Sequence, residues 1–142
     1  MSETKADGYY RQAGSAQAGQ PVITRHPWIC AVQAAADTIL IARLLAGHRL
    51  LPEMCQLIAN GSQAAMNVDV YVGTTATDLL FNDVAISATT FSKTNGANSA
   101  VLEALGVSDE DRDIRILINS GAATAPAGGK LTLQLAQVPS TD

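Results

Sequence analysis

The sequence predicts an all-β domain: an antiparallel β-sandwich, of which a jelly roll is one arrangement, with one short helix and an extended N-terminal arm. Apolar and polar residues alternate along several short segments. Turn-forming dipeptides separate these segments, and only one stretch carries the boundary signals of a helix. The length of 142 residues suits one domain. An open sheet is disfavoured because its edges would pair with other chains.

The first 26 residues differ in composition from the rest of the chain. From Asp7 to Gln20 the sequence is rich in Gly, Ala, Gln and Ser and has no helical or strand periodicity. Such a stretch cannot build a core of its own. We therefore expect residues 1–26 to form an extended arm and residues 27–142 to form the β-sandwich domain.

Three strands are predicted next. Trp28 to Ala34 alternates in polarity, and Thr38 to Leu45 is an almost continuous apolar run, as expected of a central strand covered on both sides. Ala46-Gly47 ends that run, and the short strand Arg49 to Leu51 follows.

The middle of the chain continues the pattern. Pro52 and Glu53 predict a bulge or an edge kink before the strand Met54 to Ala59, which ends at the tight-turn dipeptide Asn60-Gly61. Met66 to Val72 gives the clearest alternation, with one apolar and one polar face. The apolar face holds Met66, Val68, Val70 and Val72, and the polar face holds Asn67, Asp69 and Tyr71.

Two further strands and the helix precede the last pair of strands. Leu79 to Phe81 and Val84 to Ala88 flank the turn-like Asn82-Asp83. Asn98 to Leu105 predicts a helix of about two turns, with Asn98 as its N-cap and Gly106 at its end.

The chain closes with a predicted hairpin. Asp113 to Asn119 and Lys130 to Val138 both alternate in polarity, and the loop Ala125 to Gly129 connects them. The acidic stretch Ser108 to Asp111 precedes them as a solvated turn.

Charge and hydropathy exclude two classes of partner. The net charge is −4 and the nine Lys and Arg residues are scattered, which argues against nucleic acid, since phosphate binding needs clustered basic residues. The apolar stretch Ala34 to Leu45 is shorter than the ~20 residues that a membrane helix requires. Met1 to Asp7 is polar and lacks the pattern of a signal peptide, so we expect synthesis in the cytoplasm.

Catalytic and metal-binding patterns are missing from the sequence. Only two histidines occur, His26 and His48, and neither belongs to a nucleophile motif. The acidic turn lacks the spacing of a calcium loop. Cys30 and Cys55 are interpreted as small apolar residues, with a disulfide between them as the alternative. We expect no enzymatic activity, no cofactor and no metal.

Charged residues make up only 15% of the chain, against ~25% in typical globular proteins. A low surface charge indicates a surface partly covered by neighbouring subunits. Aromatic side chains and arginine dominate protein–protein contacts, and His26 is interpreted as a surface or interface residue and not as a catalytic base. The predicted partner-contact residues are Tyr9, Tyr10, Arg11, His26, Trp28 and Tyr71, with core packing as the alternative for Trp28.

The segment Asp37 to Gly47, with Leu50 to Pro52 and Asp69 to Gly73, resembles small β-sandwich virion proteins of tailed bacteriophages, of the capsid decoration or cement type. The resemblance covers residues 36–138 and leaves the arm outside. It implies a homo-oligomer, commonly a trimer, that sits on a shell of major capsid proteins. The implied location is the capsid surface of the virion, after synthesis in the host cytoplasm.

The expected function is therefore that of a non-enzymatic virion protein that decorates and stabilises a phage capsid. One alternative is a protein of the tail, connector or fibre. Another is a carbohydrate-binding sandwich module, which would present several aromatic residues on one face although the chain contains only 4% aromatics. A small hydrolase has the least support, because it would depend on the two histidines.

Overall fold

The computed structural model describes residues 3–6, 9, 21–29, 36–60, 66–74, 79–86, 90–93, 105–120 and 130–139. These residues form ten strands and one turn of 3-10 helix at Pro52–Met54. The strands are β1 (Glu3–Lys5), β2 (Val22–Ile29), β3 (Thr38–Leu44), β4 (His48–Leu50), β5 (Gln56–Asn60), β6 (Met66–Val72), β7 (Leu79–Ile86), β8 (Thr90–Lys93), β9 (Arg112–Ser120) and β10 (Lys130–Pro139). No helix in these ranges is long and apolar enough to cross a membrane.

The strands form two sheets. Sheet A has the order β1-β3-β9-β6-β7, and sheet B has the order β2-β10-β5-β8, with β4 also paired to β10. All of these pairings are antiparallel except that of β1 with β3. A jelly roll is a long hairpin of strands that is folded over on itself. Its characteristic strand pairs are present here, namely β2 with β10, β3 with β9, β5 with β8 and β6 with β7. The predicted all-β sandwich is confirmed.

The core lies between the inner faces of the two sheets. Alternate side chains of each strand point inward, so both sheets contribute to a single apolar cluster. Sheet A contributes Ile39, Ile41, Val68, Val70, Ile114, Ile116 and Ile118, and sheet B contributes Trp28, Leu57, Leu131, Leu133 and Leu135.

The predicted hairpin between the last two strands is wrong. β9 pairs with β3 and β6 in sheet A, whereas β10 pairs with β2, β4 and β5 in sheet B. The two strands bury their alternating isoleucines and leucines from opposite sides of the core. Alternation determines which side chains are buried but not which strand is the neighbour, so it could not distinguish a hairpin from a crossing between sheets. The connecting residues 121–129 lie outside the described ranges.

Asn82-Asp83 forms a β-bulge and not the predicted turn. β7 runs unbroken through this dipeptide, and its register with β6 shifts here. Asp83 has φ 51°, a left-handed conformation that Asp and Asn tolerate better than other non-glycine residues. Its backbone N–H donates to Oδ1 of Asp69 at 2.6 Å. The carboxylate of the facing strand therefore satisfies the amide, and the strand continues past the irregular residue.

Other predicted boundaries also shift. β2 begins at Val22 and not at Trp28, so residue 26, where the arm was expected to end, lies inside a strand. Gly47, with φ 74°, lies in the turn that follows β3, as expected. β8 was not predicted. The predicted helix over 98–105 lies outside the described residues except for Leu105, which is in a turn.

Candidate interaction surfaces

The first strand adds an edge to sheet A. Glu3 lies opposite Thr38 and Lys5 lies opposite Leu40 in a parallel register. The backbone N–H of Ala6 donates to the carbonyl of Leu40 at 2.8 Å, which continues the pairing past the strand end. The N-terminal segment, residues 3–6 with Tyr9, is therefore attached to the exposed edge of β3 by main-chain hydrogen bonds.

Side chains hold the same segment in place. Oε1 of Glu3 lies 2.6 Å from Nε of Arg115, and the hydroxyl of Tyr9 donates to Oδ1 of Asp113. The guanidinium carbon of Arg43 lies 5.6 Å from the centre of the Tyr9 ring, within the range of a cation–π contact. We call these five residues, Glu3, Tyr9, Arg43, Asp113 and Arg115, the anchor cluster.

Arg115 is the centre of the anchor cluster. Its Nη1 donates to the carbonyl of Gly73 at 2.5 Å, and its Nη2 lies 3.5 Å from Oδ2 of Asp113. Burial alone would lower the pKa of Arg115, but the hydrogen bond and charge of Glu3, together with Asp113, raise it overall. The guanidinium is thus fixed as a permanent cation that binds residues from three separate parts of the chain.

The outer face of sheet A is covered near the anchor cluster. Leu40 and Tyr71 point away from the core, as their core neighbours Ile39 and Val70 show, yet both are buried. Burial raises the pKa of the Tyr71 phenol, an effect that the charge of Arg115 opposes and that of Glu3 reinforces. This face carries a second buried layer beside the N-terminal segment.

Two of the predicted contact residues point into the sandwich. Trp28 is 4% exposed and belongs to the core cluster, in agreement with the alternative of core packing. His26 is 1% exposed, and its Nε2 lies 2.6 Å from the hydroxyl of Thr24. Both side chains contact their own chain, which leaves them little surface for a partner.

The tyrosines are also engaged within the chain. Tyr9 is only 7% exposed, because the anchor cluster encloses it, and Tyr71 is 4% exposed. Tyr10 and Arg11 lie outside the described residues. The contact of the six residues with a partner stays a prediction for Tyr9, Tyr10, Arg11, His26, Trp28 and Tyr71 alike.

A different surface is open on the outer face of sheet B. Ile23 and Ile29 of the edge strand β2 are 50% and 52% exposed, and no other large apolar side chain in the described ranges is exposed. Arg25 lies between them, and Lys130 is the register partner of Ile29. The sequences of β2, β4, β5 and β10 contain no carboxylate. We call Ile23, Arg25, Ile29 and Lys130 the sheet B patch.

Sequence reasoning missed this patch. The alternation that places His26 and Trp28 inward extends back to Thr24, so it places Ile23, Arg25 and Ile29 outward. Starting the strand at Val22 would have predicted two isoleucines on the solvent face of an edge strand. Pro27, which is tolerated at a sheet edge, was the available signal for that edge.

The histidine and cysteine side chains in the described ranges are hydrogen-bonded or buried. Nδ1 of His48 lies 3.2 Å from the carbonyl of Ala46. Cys55 is a free, buried thiol whose Sγ donates to the carbonyl of Leu51 at 3.4 Å, and burial raises its pKa to about 12. Cys30 lies outside the described residues. The described part of the chain contains no group of three or more His, Cys, Asp or Glu residues that could hold a metal ion.

The jelly roll corresponds to chains of two solved phage capsids. A chain of the capsid of Ralstonia phage GP4 is similar with a TM-score of 0.71 at 17% identity, over 97% of this chain and 98% of that chain. The fold is that of a known capsid chain. A chain from the capsid asymmetric unit of cyanophage Pam1 is similar with a TM-score of 0.52 at 14% identity, over 93% of this chain and 94% of that chain. No protein-family model matches the sequence, and no curated protein matches it.

Proposed function

We propose that this chain is a non-enzymatic structural protein of a bacteriophage virion, which decorates and stabilises the capsid by binding its major subunits. The observation that carries the proposal is the near-complete match to a chain of the Ralstonia phage GP4 capsid. The match covers almost all of both chains, so it relates two chains of nearly equal length. A shared fold is an analogy for function, so the surfaces of this chain must supply the rest of the support.

The described side chains favour adhesion over chemistry. His26 is enclosed in the sandwich, and burial keeps the thiol of Cys55 protonated at neutral pH. A nucleophile needs a base within hydrogen-bond reach and access to a substrate, and neither of these groups offers that access. The four aromatic residues with described side chains, Tyr9, Trp28, Tyr71 and Phe81, are all buried, which argues against a carbohydrate-binding face.

The sheet B patch is the surface that we assign to the capsid partner. A partner that covers Ile23 and Ile29 removes their apolar surface from water. This burial stabilises the complex by about 25 cal/mol per Å² of apolar area. Arg25 and Lys130 add positive charge to the same part of sheet B. The complementary partner surface is therefore apolar at its centre and acidic at its edge.

Co-sedimentation tests the proposal. Capsid shells assembled from the major capsid protein of the same phage genome are mixed with the purified chain and centrifuged through a density gradient. We expect the chain to migrate with the shells at a saturating, fixed number of copies, and to bind more weakly as the salt concentration rises. Shells of an unrelated phage are the control. A chain that stays at the top of the gradient with every shell overturns the proposal.

Substitution of the patch makes the test specific. Ile23→Asp and Ile29→Asp should each weaken binding at least about tenfold, because each places a charge against an apolar surface. Asp109→Ser, an exposed change in the acidic turn, is the matched control and should bind like the unchanged protein. Equal binding by all three variants would remove the patch from the proposal while leaving shell binding itself intact.

Imaging separates the head from the tail. Virions that carry a labelled copy of the chain should show the label over the capsid surface. A label confined to the tail, the connector or the fibres would replace the capsid assignment with that alternative.

A further inference from the structure

The strand β1 is additional to the jelly roll. The eight strands of the two four-stranded layers pair with one another, and β1 pairs only with the edge of β3 among the described strands. It is also the one parallel partner in sheet A. Removal of β1 would leave each described pairing of the sandwich unchanged, so the strand behaves as a bound peptide that has been added to a sheet edge.

The binding site for this peptide is specific. Arg115 forms an ion pair with the carboxylate of Glu3, and Asp113 accepts a hydrogen bond from the hydroxyl of Tyr9. Ala6 and Tyr9 are both buried against the rest of the chain. A strand that relied on backbone pairing alone would be interchangeable with others, whereas these side-chain contacts select this particular sequence.

The chain that follows the peptide is long enough to reach beyond its own domain. Residues 10–20 separate Tyr9 from the start of sheet B and are mostly Gly, Ala, Gln and Ser. Fully extended, this connection spans up to about 36 Å. A compact domain of this length has a radius of gyration of about 14 Å. The fully extended connection is therefore longer than the radius of the domain.

We infer that the N-terminal segment is exchanged between copies of this chain: residues 3–6 and Tyr9 of one copy occupy the β3 edge and the anchor cluster of a second copy. The contacts of the exchanged arrangement are those seen within the chain, so their energies cancel between the two arrangements. The choice between the two arrangements depends on the effective concentration of the segment at the β3 edge. The connection of residues 10–20 sets this concentration within one chain, and close packing of copies raises it between chains. The partner in this contact is a second copy and not the capsid protein, so the inference does not rest on the proposed function.

Engineered cysteines distinguish exchange from pairing within one chain. Glu3 and Thr38 are register partners with side-chain oxygens 3.4 Å apart. In a Cys30→Ser background, the Glu3→Cys variant and the Thr38→Cys variant are mixed at high concentration and oxidised. Exchange gives a covalent dimer of one chain of each variant, at least about tenfold more than the control mixture of Glu3→Cys with Asp109→Cys. The inference is overturned if the variant that carries both cysteines forms the disulfide only within single chains and the mixture of the two separate variants gives no mixed dimer.

A mass measurement covers the case in which the cysteines fail to pair. The intact chain, of 14.8 kDa, and a deletion of residues 1–9 are compared by sedimentation equilibrium over a range of concentrations. We expect the intact chain to form an oligomer and the deletion to dissociate at least about tenfold more readily, because each copy loses its bound segment. An intact chain that stays monomeric at every concentration, or a deletion that associates as strongly as the intact chain, overturns the inference. Both experiments use the purified protein alone, so their failure leaves shell binding unaffected.

Discussion

Glu3 and Arg115 lie 112 residues apart in sequence and are joined by a 2.6 Å contact between Oε1 and Nε. This ion pair ties the first described strand to β9, the strand between β3 and β6 in sheet A. It belongs to the small set of contacts that attach the N-terminal segment, so its loss should affect that segment before it affects the sandwich.

Glu3→Gln and Arg115→Gln test the energy of this pair. Glu3 is 44% exposed and Arg115 is 13% exposed, so solvent screens the interaction in part. We expect a coupling energy of about 0.5–1 kcal/mol in a double-mutant cycle measured by urea unfolding, and less at high salt. Arg115→Gln alone should lower the free energy of unfolding more than Glu3→Gln does, because it also breaks the hydrogen bond to the Gly73 carbonyl. Equal costs for the two single variants would contradict this account of Arg115.

Tyr9→Ala should release the N-terminal segment without unfolding the domain. The substitution removes the hydrogen bond to Asp113 and the ring contact with Arg43. We expect amide exchange at Ala6, whose N–H is bonded to Leu40, to accelerate about 10- to 100-fold, while amides of β9 and β10 keep their protection. Tyr9→Phe is the matched control, because it keeps the ring and loses only the hydroxyl. Faster exchange throughout the sandwich in Tyr9→Ala would show that Tyr9 supports the whole fold.

Two deletions should differ sharply in stability. Among the described residues, deletion of residues 1–9 removes β1, Ala6 and Tyr9. We expect a retained β-sheet circular dichroism spectrum and a loss of about 1–3 kcal/mol in the free energy of unfolding. Deletion of residues 1–26 also removes Val22 to His26 of β2, which pair with β10. That loss leaves backbone groups along one edge of β10 without partners, so the chain should not fold stably, since the free energy of unfolding of a small domain is only about 5–15 kcal/mol. Equal thermal stability of the two products would contradict the assignment of β2.

Cys55 should make the stability fall at alkaline pH. Burial raises its pKa from 9.0 to about 12, so the native state keeps the proton at a pH where the unfolded chain has lost it. The contribution is complete below pH 9 and disappears as the pH rises toward 12. The unfolding free energy should decline by up to about 1.4 kcal/mol per pH unit in this window.

Cys55→Ala is the control for this pH dependence. We expect the unfolding free energy of Cys55→Ala, measured with urea from pH 7 to pH 10.5, to fall less steeply with pH than that of the unchanged protein. Burial also raises the pKa of Tyr71, but Tyr71 is present in both proteins, so the difference between the slopes is due to the thiol. Parallel slopes for the two proteins would show that the thiol is not protected from ionisation.

Asp69→Ala should destabilise the bulge in β7. Oδ1 of Asp69 accepts the backbone N–H of Asp83 at 2.6 Å and Nδ2 of Asn119 at 2.7 Å. Hydrogen bonds to a charged acceptor contribute about 1.5–3 kcal/mol each, so we expect the loss of both to lower the free energy of unfolding by about 3 kcal/mol or more. Asp109→Ala, which changes an exposed carboxylate in the acidic turn, should remain within about 0.5 kcal/mol of the unchanged protein. A similar small effect at Asp69 would mean that water replaces the carboxylate at the bulge.

The sequence by itself determined the class of the fold and the composition of the core. Side chains of a strand alternate between two faces, so the apolar positions of β6, β9 and β10 could be read directly, and all those with described side chains are buried. The same alternation, continued to Ile23, would also have located the sheet B patch. These features are local, because each depends only on neighbours along one strand.

Only the tertiary structure decided which strands pair and what the N-terminal residues contact. The pairing of β10 with β2, and not with β9, depends on contacts between residues more than a hundred positions apart. The burial of Tyr9 likewise depends on Arg43 and Asp113, which no spacing near residue 9 reveals. A periodic pattern specifies the faces of a strand but carries no information about its partner, so the closing of the jelly roll and the attachment of β1 follow from packing in three dimensions.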